Sequence, residues 1–315
     1  RGLEYMFVMM NAARLGVGLE GVSISERAYQ RALDWSRERL QGRPLGVANA
    51  AKTAPIIQHP DVRRMLLTMK ATAEATRALA YQVSALLDRA KAHPDESERR
   101  RSQALVDLLI PVVKGWSTEA GIQAASLGIQ VHGGMGFIEE TGAAQHLRDA
   151  RISTIYEGTT GIQANDLVGR KVGREAGATM KALIEEMREV AAGLAGSGDA
   201  ELRAIGARQA KAIDDLERAT DWIVAVYATD PGAVAAGAVY YLELAGLAVG
   251  GWMMARAAIA ATKQLAAGEG DAQYLRGKRL TARFFADHRL PRADALAESI
   301  LAGGQLVRSA DEALV

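Results

Sequence analysis

The stretch Arg148-Asp149-Ala150-Arg151-Ile152-Ser153-Thr154-Ile155-Tyr156-Glu157-Gly158-Thr159-Thr160-Gly161-Ile162-Gln163 sets one glutamate between a tyrosine and a glycine, ahead of two threonines. It falls where one helical pattern stops and another starts. A carboxylate there is suited to general-base work. Gly158 frees the backbone from helical geometry, so Glu157 can lean into a cleft between helices. A plainer reading stands beside it, because a glutamate ahead of a helix N-terminus is also favourable for the helix dipole alone. Spacing by itself leaves both open.

Other chemistries find less support. The chain has no cysteine, which excludes disulfides, thiolate metal sites and cysteine nucleophiles. None of the five histidines (His59, His93, His132, His146 and His288) makes a convincing metal pair at helical spacing. Asp287 and His288 are adjacent, and adjacent residues on a helix point apart, so no metal site is expected. No Gly-x-Ser-x-Gly elbow occurs. The glycines of Gln130-Val131-His132-Gly133-Gly134-Met135-Gly136 resemble a nucleotide loop superficially. They follow a helix rather than a strand, so a Rossmann reading fails its own context test.

The elements that must carry these residues are helical. Of 315 residues 49% are hydrophobic and 24% charged, and only seven are proline. Helical periodicity predicts helices over Met10–Leu40, Asp61–Ala92, Ser97–Val131, Glu140–Ala150 and Thr160–Lys171, with a connection over Gln41–Pro60. Pro111 inside the third predicts either a kink or that helix's true start. Beyond Gly173 the texture is richer in alanine and predicts helices near 175–194, 199–228, 231–266, 270–287 and 291–302. No period-2 alternation appears, so the expected class is all-α. The expected division is a helical bundle over 1–172 and a helical extension over 173–315. A net charge of +1 argues against a nucleic-acid surface. No window reaches the roughly 18 uninterrupted apolar residues of a membrane span. Ala233–Ala261 comes nearest, but Glu243 and Arg256 interrupt it, and it reads as a buried helix pair. The absence of cysteine suits a reducing compartment, and a cytoplasmic location is expected. Arg1 opens the chain without Met or signal peptide, as expected of a piece of a longer polypeptide.

Taken together, Arg148-Asp149-Ala150, Ile155-Tyr156-Glu157-Gly158-Thr159 and Ile162-Gln163 resemble the signature of the acyl-CoA dehydrogenases. Gln130-x-x-Gly133-Gly134-x-Gly136 is similar to that family's flavin-contacting loop, and Arg14 and Arg39 stand at the ends of a helix much as two arginines do there. The resemblance covers roughly residues 1–172, as the family's C-terminal four-helix bundle. The remainder is similar to the extension of a larger branch that includes 3-methylmercaptopropionyl-CoA dehydrogenases. Gly161 and Leu40-Gln41-Gly42 depart from the medium-chain pattern in that direction. The resemblance implies FAD as cofactor, an acyl-CoA substrate and an acceptor such as an electron-transfer flavoprotein. It implies Glu157 as the base taking the substrate's α-proton, and Arg14 and Gly158 at the substrate. It implies Arg39, Gln130, Gly133, Gly134 and Thr159 at the flavin, part of which belongs to a partner in a homodimer. Two plainer readings remain: Arg39 as a helix C-terminal cation and Gly133-Gly134 as a C-cap. The family's N-terminal helical domain and middle β-domain have no counterpart in these residues. Acyl-CoA oxidase chemistry, or a helical oligomerisation domain without chemistry, are the alternatives.

Overall fold

The computed structural model describes residues 2–46, 52–311 and 313. Its long helices are α1 (Gly2–Glu38), α2 (Pro60–Ala92) and α3 (Glu96–His132), followed by the short α4 (Gly134–Phe137), α5 (Ala143–Ser153) and α6 (Thr160–Asn165). A π-helical segment, Asp166–Gly173, continues α6. Then come α7 (Ala178–Ala195), α8 (Ala200–Tyr227), α9 (Pro231–Ala236), α10 (Ala238–Ala267), α11 (Ala272–His288), α12 (Arg292–Leu301) and α13 (Gln305–Ser309). The only strand-like feature among the described residues is an isolated bridge between Leu40 and Pro55. The chain is all-α, as its periodicity predicts.

Aspartates set several of the helix starts. The Asp95 carboxylate accepts from the Ser97 N–H at 2.8 Å, so the cap of α3 is Asp95 rather than Ser97. Asp199 and Asp271 do the same for α8 and α11. Other bounds differ from expectation for physical reasons. α1 begins at Gly2 rather than Met10, since no proline or capping residue intervenes. α3 runs through Pro111 instead of starting there. An internal proline costs about 3 kcal/mol. Leu108, Leu109, Ile110, Val112, Val113 and Trp116 around it are all buried, at about 1.5–3 kcal/mol each, which outweighs that cost. The predicted 231–266 helix breaks at Gly237, which lies against Ile300. The π turn was not foreseen. It brings Gly173 beneath the Tyr227 ring, where a Cβ would lie 2.5 Å from Cγ. Part of the 41–60 connection lies outside the described residues.

Two packing features position the site. α1 and α3 meet backbone to backbone: a Cβ at Gly21 would lie 2.4 Å from the Ser117 carbonyl oxygen, and one at Gly18 would lie 2.6 Å from Val113 Cγ1. On the other side of α3, the Trp116 indole sits in a notch of α10 made by Gly246 and Gly250. Helix α10 is long and apolar enough to cross a membrane by composition, yet 78% of its most apolar window is buried inside the protein. One hydrophobic core runs from α2 and α3 through α7, α8 and α10 to α12, so bundle and extension share it. A smaller cluster around Met65, Met69, Ala124 and Val131 lies between α1, α2 and α3.

Alanine at Gly21 is expected to lower the stability of the chain by about 1–3 kcal/mol in urea unfolding, because the added methyl meets backbone. Gly193→Ala, at an α7 position with open space around it, serves as the control and is expected to stabilise. Equal gains from both substitutions would show that α1 and α3 do not approach this closely.

Candidate active site

The link from α5 to α6 turns left-handed at two successive residues, Glu157 with φ 57° and Gly158 with φ 89°. A non-glycine residue there costs roughly 1–3 kcal/mol and persists only where its surroundings hold it. Glycine suits the second position because φ there is strongly positive, and a Cβ would also lie 2.8 Å from Gln163 Nε2, which would have to shift. The surroundings act through carbonyls. Gln163 Nε2 donates to Glu157 O at 3.1 Å and to Gly158 O at 3.3 Å, and Lys114 Nζ, from α3, donates to Gly158 O at 2.7 Å. Thr159 Oγ1 accepts from the Ile162 N–H at 3.3 Å and so starts α6. Among the described residues neither the Glu157 nor the Gly158 N–H donates a hydrogen bond, and the Glu157 carboxylate has no partner.

The flanking groups are polar and fixed. The Tyr156 hydroxyl donates to the Glu20 carboxylate on α1. Burial, reinforced by Glu20, pushes its pKa up to about 12, so it stays a donor. Thr160 Oγ1 donates to Glu119 Oε1 at 2.7 Å. Burial, with Arg14 adding to it, brings the Lys114 ammonium down to about 8, against the pull of Glu119, Glu157 and Glu20. Arg14 does not face open space. Its Nη1 lies 3.1 Å from Asp166 Oδ2, with both side chains at most 7% exposed, and Arg170 Nε reaches the other Asp166 oxygen at 2.5 Å. Arg14 thus ties α1 to the first residue of the π-helical segment.

The structure gathers the other predicted residues in a second place. Arg39, Gln130, Gly133 and Gly134 line a cleft of about 650 Å³ between the ends of α1 and α3, together with Trp35, Gln41, His59 and Met135. Gly133 does cap α3, with φ 63°, and it also lines this cleft. A Cβ at Gly133 or Gly134 would meet nothing within 4 Å, so the backbone there is open to close approach by a ligand. The Arg39 guanidinium has no ion pair among the described residues. The wall is built by His132, which donates from Nδ1 to the Gly128 carbonyl at 2.7 Å and stacks on Trp35 at 5.0 Å. Burial holds its imidazole below the ordinary value, in the neutral form. His59 donates to Gln41 O at 2.7 Å on the opposite rim. Glu157 and Thr159 do not line this cleft. Along α1, Arg14 and Arg39 are separated by roughly 37 Å at 1.5 Å per residue. No group of three metal-ligating side chains occurs among the described residues.

Lys114, Glu20, Trp35 and Asp166 escaped the sequence reading, and His132 was weighed there only as a metal ligand. A lone lysine inside the apolar run Leu108–Trp116 was the one available signal for Lys114. Asp166 lies 152 positions from Arg14, and nothing local marks their pairing.

Known proteins share this arrangement of helices. The structure of an acyl-CoA dehydrogenase from Bacillus anthracis complexed with FAD superposes with a TM-score of 0.73 at 20% identity, covering 96% of this chain and 51% of that one. The Caenorhabditis elegans protein ACDH-11, in complex with C11-CoA, superposes with a TM-score of 0.71 at 17% identity over 96% of this chain and 48% of that one. At these identities the likeness is one of fold. In sequence, residues 1–172 match the family described as acyl-CoA dehydrogenase, C-terminal domain, and residues 183–311 match the one described as acetyl-CoA dehydrogenase C-terminal like. The chain therefore belongs to the acyl-CoA dehydrogenase family. It is 48% identical to the 3-methylmercaptopropionyl-CoA dehydrogenase of Ruegeria pomeroyi over 93% of its own length and 49% of that protein's. It is 33% identical to a broad-specificity linear acyl-CoA dehydrogenase of Mycobacterium tuberculosis, over 99% of this chain and 52% of that protein. The chain thus spans about half the length of these relatives.

Removing one member of the buried pair tests the site's frame. Asp166→Ala leaves Arg14 buried without a counter-charge and is expected to cost about 3–5 kcal/mol in equilibrium unfolding. A loss below about 1 kcal/mol, the size typical of an exposed pair, would show that the pair is not buried as described.

Proposed function

We propose that this chain provides the catalytic base and part of the cofactor site of an FAD-dependent acyl-CoA dehydrogenase, which forms a double bond between the α- and β-carbons of an acyl thioester. The observation that carries this reading is the junction itself: a carboxylate and a backbone N–H, neither engaged among the described residues, held side by side on a clamped left-handed turn.

The α-proton of a thioester is too weakly acidic for an unaided carboxylate. The Glu157 carboxylate takes that proton, and the Glu157 N–H donates to the thioester oxygen as negative charge gathers on it. A donor fixed in advance stabilises that charge without reorganising during the reaction. Gly158 lets the substrate come close to the backbone. Arg14 shapes the pocket from behind by anchoring Asp166. Bound FAD supplies a hydride acceptor for the β-carbon. Its phosphates and adenine suit the cleft of Arg39, Gln130, Gly133 and Gly134, where a planar cation and open glycine backbone stand together. Thr159 suits the flavin end near Glu157.

The separation of the two places supports a homodimer. Thr159 does not line the Arg39 cleft, which lies toward the other end of α1 from Arg14, an arrangement that suits the cleft serving the flavin of a second copy while Thr159 serves its own. Closed two-fold pairing satisfies both halves at once. An electron-transfer flavoprotein is the proposed acceptor. A cytoplasmic location goes with the proposal, on the cysteine-free composition that suits a reducing compartment.

In the intact protein that carries this chain, Glu157→Gln is expected to lower acyl-CoA turnover by at least about 10²–10⁴-fold, the range of a general base, while flavin absorbance per protomer is unchanged. Near-normal turnover with an artificial electron acceptor would overturn the assignment.

A further inference from the structure

Lys114 is the most deeply buried cation near the junction, fully enclosed at 0% exposure within α3. A charged side chain removed from water is costly unless it is paired and fully hydrogen-bonded. Lys114 has no carboxylate within ion-pairing distance among the described residues. Its one hydrogen bond goes to a neutral acceptor, the Gly158 carbonyl at 2.7 Å, 44 positions along the chain. A lysine kept in the core for packing alone would be better replaced by an apolar residue. The bond it makes is directed at the carbonyl beside Glu157, one of two non-glycine residues in the left-handed region among the described residues.

We infer that Lys114 is a positioning residue for the reaction: its ammonium grips the Gly158 carbonyl from beneath and holds the Glu157–Gly158 turn in its left-handed form, with the base and its N–H facing the substrate. The inference rests on Glu157 being the base.

The geometry explains why the grip is needed. A trans peptide sets its N–H opposite its C=O. The Glu157 carbonyl shares its plane with the Gly158 N–H, and the Gly158 carbonyl with the Thr159 N–H, so the two inward carbonyls fix the two planes that follow Glu157 and hold its ψ and the turn after it. Gln163 reaches both, but at 3.1 and 3.3 Å and with one amide shared between them. Lys114 supplies the short, charge-assisted bond, of the stronger kind. Burial and Arg14 draw its pKa down, against Glu119, Glu157 and Glu20, which favour the ammonium. At about 8 its pKa leaves it mostly charged at neutral pH. Without the lysine, the turn would rest on a shared amide, and Glu157 would be free to relax to negative φ, swinging its carboxylate and N–H away together.

The test uses the intact flavoprotein and a 3-thia acyl-CoA. In this probe sulfur replaces the β-carbon, so the α-proton can leave but no hydride can follow. Exchange of that proton with D2O is followed by mass spectrometry, per bound flavin, together with probe affinity. Lys114→Met keeps the length of the side chain and removes the donor. It is expected to retain flavin and probe affinity while exchange falls about tenfold to a hundredfold, the scale of a misplaced catalytic group. Amide hydrogen exchange of the 154–163 peptide is expected to accelerate, with the central turns of α1 and α3 unchanged. Lys114→Gln, which keeps a neutral donor one bond short, covers the case in which methionine does not fold, and the same losses are expected. Exchange within twofold of the parent, or an unchanged 154–163 peptide, would overturn the positioning role. A lowered melting temperature with exchange per flavin intact would also overturn it, since that is the signature of packing alone. Glu157→Gln runs alongside and is expected to abolish exchange. If it does not, the base assignment fails, and the role of Lys114 falls with it.

Discussion

Helices α1 and α3, each 37 residues long, touch backbone to backbone where Gly21 meets the Ser117 carbonyl. That contact sets the distance and rotation between the two elements that flank both the junction and the Arg39 cleft. Arg14 and Glu20 lie on α1 and Lys114 and Glu119 on α3, all near the junction. Trp35 and Arg39 lie toward one end of the pair, with Gln130 and His132 near the end of α3 beside them. A pair of long helices in close contact acts as a rigid beam. It can therefore hold two places far apart in fixed relation, which shorter or looser elements could not.

Backbone strain and buried charge meet where the beam joins the α5–α6 link. A left-handed glutamate, a fully enclosed lysine and a buried Arg14–Asp166 pair are each unfavourable in isolation. They occur together because each partly compensates another. The lysine needs an acceptor, the strained turn needs its carbonyls held, and the π-helical segment that follows needs its first residue anchored. The gain is a carboxylate and an N–H that are left free without being mobile. Such prearrangement is what electrostatic stabilisation of a developing charge requires.

Much of this was legible in the sequence, and the remainder was hidden for identifiable reasons. Helix periodicity gave α2, α3, α7, α8 and α11 to within a few residues, because their buried faces repeat at helical spacing. The capping aspartates Asp199 and Asp271 agree with the turn signals ahead of their helices. Pro111 left two readings open, a kink or a helix start, and the start is the one that fails, because burial on either side exceeds the penalty of an internal proline. The Tyr156-Glu157-Gly158-Thr159 run and the Gly133-Gly134 loop stood out because their composition suits neither helix nor strand. What no local pattern could reveal was contact between distant positions. Lys114 with Gly158, Arg14 with Asp166 and Tyr156 with Glu20 depend on the fold already being in place. The π turn at Asp166–Gly173 was equally invisible, since an α-helical pattern differs from it by a single residue of pitch.

The notch that receives Trp116 has a further consequence, for cooperativity. Gly246 and Gly250 of α10 hold the indole that stands two residues from Lys114 on α3. The extension therefore packs against α3 close to the junction. Loosening α10 would uncover Trp116, release the middle of α3 and weaken the hold on the Gly158 carbonyl. The two sequence halves, though they differ in composition near residue 173, share one hydrophobic core. A chain shortened to the bundle alone would keep every residue of the candidate site and lose the pressure that keeps them in register.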